Sequence, residues 1–249
     1  MSRNFDILQG SDGILGPQRP ETQSKSRSYG AESQRNGRTV AQDEVMKLVQ
    51  RVFILPGGAK APQAVAFCSV ERGAGCTWVC AHASEVLADQ ISGSVCVVDA
   101  NFRSPSLHDY FRFKNGPGFA DAVKDAEMRP AHEFARRASG SHLWLITAGS
   151  VNGEPNGSLN PARLRARIKE LRDEFDFVLF DTSAILAHGD CVLLGQLTDG
   201  IILVVGSNST RREPARMAKE SFDAASVPIL GAVLNRRTFP IPEVIYRNL

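Results

Sequence analysis

One stretch, Ala64 to Phe111, constrains the fold of this chain more than any other. It reads as strand, glycine loop, helix and strand in succession. Ala-Val-Ala-Phe-Cys-Ser (64–69) is a continuous apolar run, the pattern of a parallel strand buried on both faces. Arg72-Gly73-Ala74-Gly75-Cys76-Thr77-Trp78 follows, and a helix is expected from Thr77 to Gln90 with Val79, Cys80, Ala83, Val86 and Leu87 inward. Ser94–Asp99 is a second apolar strand ending on an acid. A strand that turns through Gly-x-Gly into a helix is the layout of a phosphate-cradling loop, because glycines let backbone amides close on phosphate oxygens.

The rest of the chain repeats the alternation. Strands are expected at His142–Thr147, Phe177–Asp181, Gly200–Val205 and Ile229–Leu234, and helices near Gly118–Asp125, Asn160–Glu174 and Arg212–Ala225. Alternating strands and helices predict an α/β fold with a doubly wound, mostly parallel sheet. Such sheets bind ligands at the carboxyl ends of their strands, where this chain carries Gly73, Gly75, Asp99 and Asp181. At 249 residues with 43% hydrophobic content, one large domain is expected, and a net charge of +2 gives no signal for nucleic acid. No apolar run reaches the ~18 residues of a membrane span and no signal peptide is visible, so a cytoplasmic location is expected.

Residues 1–38 are rich in Ser, Gln, Arg and Gly and read as a disordered tail, in which Phe5-Asp6-Ile7-Leu8 is either a short docking motif or a frayed terminus. The domain is expected over 39–249. It opens with a helix over 39–55, where Val45, Leu48, Val49 and Val52 form an apolar stripe, Asp43 and Glu44 occupy the first turn and Pro56-Gly57-Gly58 ends it. The arginine run of the Asn160–Glu174 helix (Arg163, Arg165, Arg167, Arg172) reads as a solvated face. Cys68, Cys76, Cys80, Cys96 and Cys191 read as reduced, packed thiols. Cys76, Cys80 and His82 match no common zinc spacing.

Within the loop, Thr77 is placed to hold magnesium through its hydroxyl, and the strand-end Asp181 to support the metal. The residue expected between Gly75 and Thr77 is a lysine that meets the β- and γ-phosphates; the chain has Cys76. A thiol is neutral in most settings, and a thiolate would repel phosphate. Losing one charge-assisted contact at a preorganised site costs about 2–4 kcal/mol of transition-state stabilisation, or ~10²–10³ in rate. Trp78 adds bulk where a small hydroxyl residue would let the α-phosphate approach, and Arg72 and Arg103 are the nearby cations that could substitute in part.

From about Gln42 to Arg237 the chain resembles the bacterial protein-tyrosine kinases of capsule and exopolysaccharide synthesis, a branch of the deviant-Walker P-loop ATPases that also includes chromosome-partitioning and septum-positioning ATPases. The resemblance rests on Val-Cys-Val-Val-Asp-Ala-Asn-Phe-Arg-Ser-Pro-Ser-Leu-His (95–108), Phe-Asp-Phe-Val-Leu-Phe-Asp-Thr (175–182), Leu-Thr-Asp-Gly-Ile-Ile-Leu-Val-Val (197–205) and Val-Pro-Ile-Leu-Gly-Ala-Val-Leu-Asn-Arg (227–236). It implies a P-loop sheet, ATP or ADP with Mg as cofactor, roles for Asp99 and Asp181 in handling magnesium and activating an acceptor tyrosine, and a catalytic place for Arg103 as the surviving arginine of the same motif. It also implies a membrane-spanning chain-length regulator as partner, action at the inner face of the plasma membrane through that partner, and self-association through the 39–55 helix.

The departures from the family pattern are specific. Asn101 replaces the second acid of Asp-x-Asp-x-Arg, Arg72 stands where proline is usual, and Glu71 occupies the position of the septum-type lysine. The helix carries Glu44, Lys47, Gln50 and Arg51 in place of Glu-x-x-Arg-x-x-Arg, and the tail offers only Tyr246 in place of a tyrosine cluster. The resulting expectation is a degenerate kinase acting as a regulatory or scaffold subunit. The alternatives are an active tyrosine kinase of the same pathway and a spatial-positioning ATPase.

Overall fold

A computed structural model describes residues 44–55, 60–125, 127, 129–138, 142–150, 160–207 and 209–236. The tail of 1–38, the start of the first helix, its Pro56-Gly57-Gly58 stop and Tyr246 lie outside the described residues.

Helix α1 is described over 44–49 and runs into a π-helical turn, Gln50–Ile54. Strand β1 (Ala64–Ser69) leads through the glycine loop to α2 (Cys76–Gln90) and β2 (Val95–Asp99). Two short helices, α3 (Leu107–Tyr110) and α4 (Phe119–Lys124), and a 3₁₀ turn (Ala131–Phe134) precede β3 (Ala135–Arg137) and β4 (Leu143–Ile146). Then come α5 (Pro161–Glu174), β5 (Phe177–Asp181), α6 (Asp190–Leu197), β6 (Ile201–Gly206), α7 (Arg212–Ala224) and β7 (Ile229–Asn235).

The strands form one seven-stranded sheet in the order β3-β4-β2-β5-β1-β6-β7. Every pairing is parallel except β3 with β4. Alternate residues of a strand face opposite sides, and β1 shows it. Ala64, Ala66 and Cys68 join one core with α4, α5 and α6 residues such as Val123, Leu164 and Leu194. Val65 and Phe67 join the other, with Val49 of α1, Val79 of α2 and Leu107 of α3. Both faces are covered, so β1 and β2 are buried throughout, which explains their unbroken apolar runs.

The sequence expectations for the parallel strands and long helices hold to within a residue or two. β3, α3 and α6 were not anticipated: each is short, and β3 (Ala-Arg-Arg) has no apolar alternation. The arginine run is not a solvated face throughout. Arg163 and Arg165 are exposed, but Arg167 is 1% exposed and lies within the inward stripe of Leu164, Ile168 and Leu171. Its Nε donates to the Ala122 carbonyl at 2.8 Å, and Nη1 donates to the Arg129 carbonyl and Glu170 Oε2, each at 2.7 Å. Burial is tolerated because the Ala122 carbonyl of α4, the Arg129 carbonyl beyond it and the Glu170 carboxylate all accept from the guanidinium.

Candidate functional site

The glycine loop sits at the carboxyl end of β1, a central strand flanked by β5 and β6, so it opens onto the point where chain connectivity reverses. Gly73 (φ +82°) and Gly75 (φ +86°) both adopt the left-handed conformation that other residues enter only at a cost. A Cβ on Gly73 would meet nothing within 4 Å, so its backbone faces open space. A Cβ on Gly75 would clash with Asn235 Nδ2, which itself donates to the Ala74 carbonyl at 2.8 Å. Asn235, the last residue of β7, therefore fastens the loop from across the sheet edge. Sequence reasoning did not single it out, although it lies in the Val-Leu-Asn-Arg stretch at the end of an apolar strand.

Cys76 opens α2 and is 8% exposed. Burial, and next the charge of Asp181, push its thiol well above the ordinary range, so it is a neutral S–H. Cys80, one turn on, is likewise raised, by burial first and by Asp181 second. No cluster of three or more His, Cys, Asp or Glu side chains suited to a metal occurs among the described residues.

Thr77 and Asp181 are brought together: the Thr77 hydroxyl donates to Asp181 Oδ2 at 2.6 Å and lies 3.2 Å from the Ser106 hydroxyl. Asp181 is fully buried. Burial raises its carboxyl to about 8, with the charge of Asp99 adding to the rise and the nearby Thr77 hydroxyl and Cys76 thiol opposing it. Its Oδ1 is buried and meets no well-aligned donor. A hydroxyl beside a carboxylate with one unsatisfied oxygen is a donor set that suits a small divalent cation.

Asp99 lies beside Asp181 in register on the neighbouring strand. Its Oδ1 accepts from the Asn101 amide, and its Oδ2 from the Ser106 and Leu107 amides, each at 3.1 Å. Burial lifts this carboxyl to about 6 while those amides hold it down. Asp99 thus shapes the loop that carries Ser106 to Thr77.

The two candidate cations are turned to other partners. Arg72 Nη2 lies 3.1 Å from His188 Nε2 at the surface, and Arg103 Nε lies 3.6 Å from Asp190 Oδ2 at the start of α6. Trp78 stacks on His82 one turn along α2, with ring centroids 5.1 Å apart and 28° between planes. Loop glycines, Thr77, Asp99 and Asp181 form one constellation, and Arg72, Arg103 and Trp78 are held by contacts at its margin.

This is the architecture of a P-loop NTPase-type α/β protein, with a lysine-less loop at the switch of a mostly parallel sheet. No protein-family model matches the chain. It is 31% identical over 164 residues to Tyrosine-protein kinase YwqD of Bacillus subtilis (strain 168), covering 66% of this chain and 68% of that protein. It is 27% identical over 163 residues to Tyrosine-protein kinase etk of Escherichia coli (strain K12), covering 65% of this chain and 22% of that protein's length. Among solved structures, the VpsO kinase domain superposes with a TM-score of 0.71 at 22% identity, over 85% of this chain and all of that one. The septum site-determining protein MinD of Pyrococcus horikoshii OT3, complexed with Mg-ADP, superposes at 0.59 with 21% identity, over 74% of this chain and 76% of that one.

The chain belongs to the bacterial tyrosine-protein kinase family.

Proposed function

We propose that this chain is a degenerate kinase domain that serves as a regulatory or scaffold subunit of exopolysaccharide or capsule synthesis and export. One observation carries the reading. The side chain that opens α2, where phosphate transfer needs a mobile cation, is the buried and neutral thiol of Cys76. A buried S–H supplies neither charge nor reach, and Arg72 and Arg103 are engaged elsewhere.

What remains suits nucleotide binding better than transfer. The amides of Gly73 to Gly75 would receive phosphate oxygens, and Thr77 with the unsatisfied oxygen of Asp181 would hold magnesium. The charge neutralisation that magnesium would supply to the bound phosphates would thus rest on Thr77 and Asp181. Asp181 must lose a proton held up to about 8 before it can take that role, so metal binding is linked to proton release near neutral pH. The family resemblance supports ATP or ADP as the nucleotide, a membrane-spanning chain-length regulator as partner, and a place at the inner membrane face through it. Self-association through α1 is part of the same reading. No helix among the described residues is long and apolar enough to cross a membrane.

The test is autophosphorylation with radiolabelled ATP, run on the chain with its partner and on an intact relative. Transfer at less than about 1% of the relative's rate is expected. Cys76→Lys with Trp78→Thr is expected to restore more than Cys76→Lys alone. Brisk transfer by the native chain, abolished by Asp181→Asn, would favour the second reading, an active kinase, for which the retained Thr77–Asp181 pair speaks.

A further inference from the structure

At the opposite end of the sheet from the glycine loop lies a cavity of about 470 Å³. Its walls come from the π-helical turn after α1 (Arg51, Val52), the approach to β1 (Lys60), the end of α5 (Arg172) and the start of β7 (Leu230). This volume falls in the range of small-molecule sites, roughly 300–1,000 Å³. We infer that the cavity binds a small amphiphilic anion, a phosphate monoester or carboxylate joined to an apolar body of about one ring.

Charge argues for the anionic head. Arg172 is already paired with Asp199, Nη2 to Oδ1 at 3.0 Å and Nη1 to Oδ2 at 3.1 Å. Asp199 Oδ2 also accepts from the Gln63 and Ala64 amides, each at 2.8 Å, so both oxygens of that carboxylate already have donors. Arg51 and Lys60 are exposed at the mouth, and neither has an ion pair or side-chain hydrogen bond among the described residues. Two cations beyond the neutralised Arg172–Asp199 pair therefore face one cavity, and an anion carrying acceptor oxygens satisfies both.

Shape argues for the apolar body. Val52, 9% exposed, and the partly buried Leu230 form one wall, and Pro62 closes another. A bare inorganic ion would leave these surfaces wet. Arg51 and Val52, consecutive in the π-helical turn, both line the cavity, one as cation and one as wall. The cavity lies at the amino ends of β1, β6 and β7, so a ligand there does not compete with one on the Gly73–Gly75 loop.

Calorimetric titration of the full chain with phenyl phosphate, with inorganic phosphate and benzyl alcohol in parallel, tests the assignment. Phenyl phosphate is expected to bind at least tenfold more tightly than either. Each of Arg51→Gln and Lys60→Gln should weaken it about tenfold, with unchanged thermal melting to show an intact fold. Four results would overturn the inference. These are no binding of phenyl phosphate at about 10 mM, equal binding of inorganic phosphate, equal binding of benzyl alcohol, and binding untouched by both substitutions.

Discussion

Gly75 and Asp181 show how single residues set the state of the site. At Gly75 a side chain would meet both a left-handed backbone and the Asn235 amide that fastens the loop. Gly75→Ala is expected to destabilise the chain by about 2–4 kcal/mol in denaturant melts. Adding Asn235→Ala should recover only part of that, because the φ strain stays. Asp181 carries a linkage with a definite sign. Its carboxyl rises from the ordinary 3.8 to about 8 on folding, so the native chain binds this proton more tightly than the unfolded one. Its contribution is fully present below the ordinary carboxylate range and is lost as pH rises toward 8. Asp181→Asn should therefore melt close to wild type at pH 4 and higher than wild type at pH 8. Equal melting at both would mean that the carboxylate is ionised at little cost.

Helix α5 shows what elements add. Its inward stripe includes Arg167, whose guanidinium ties α5 to the end of α4 and to the residues before the 3₁₀ turn through two backbone carbonyls, with Glu170 of the same helix as a third acceptor. Arg167→Leu keeps the stem's packing but removes the guanidinium donor to the Arg129 carbonyl and to Glu170 Oε2, and an acceptor left unpaired costs roughly 1–3 kcal/mol. Loss of about 3 kcal/mol in denaturant midpoint experiments is expected, together with faster amide exchange over α4 and the 3₁₀ turn. Arg163→Leu, on the exposed face, should change stability little. The helical spacing of Leu164, Ile168 and Leu171 already placed position 167 on the inner face. Composition alone obscured it, since four arginines in one helix look like solvent contacts.

At the scale of the whole molecule, a parallel sheet covered on both sides places each loop at one end or the other, and the two ends carry different chemistry. Asp199, just before β6, clips the amino ends through two amides and Arg172. Although burial opposes ionisation, these partners hold its carboxyl below the ordinary value. Its stabilisation is present above the unfolded carboxylate pKa and is lost as pH falls through the lowered one. Asp199→Ala should lower the urea midpoint at pH 7, and the gap should narrow in acid. The same architecture explains what could be read from the chain. Apolar runs of five or six residues between helical patterns required a buried parallel sheet, and the glycine loop and strand-end acids had to fall at its carboxyl edge. Those inferences depend on local periodicity and backbone freedom, which neighbouring residues in sequence settle among themselves. The hold of Asn235 on Ala74, the turning of Arg72 to His188, the burial of Arg167 and the cavity between α1 and β7 join residues far apart in the chain. Their energies depend on distances and desolvation that exist only once the sheet has brought them together.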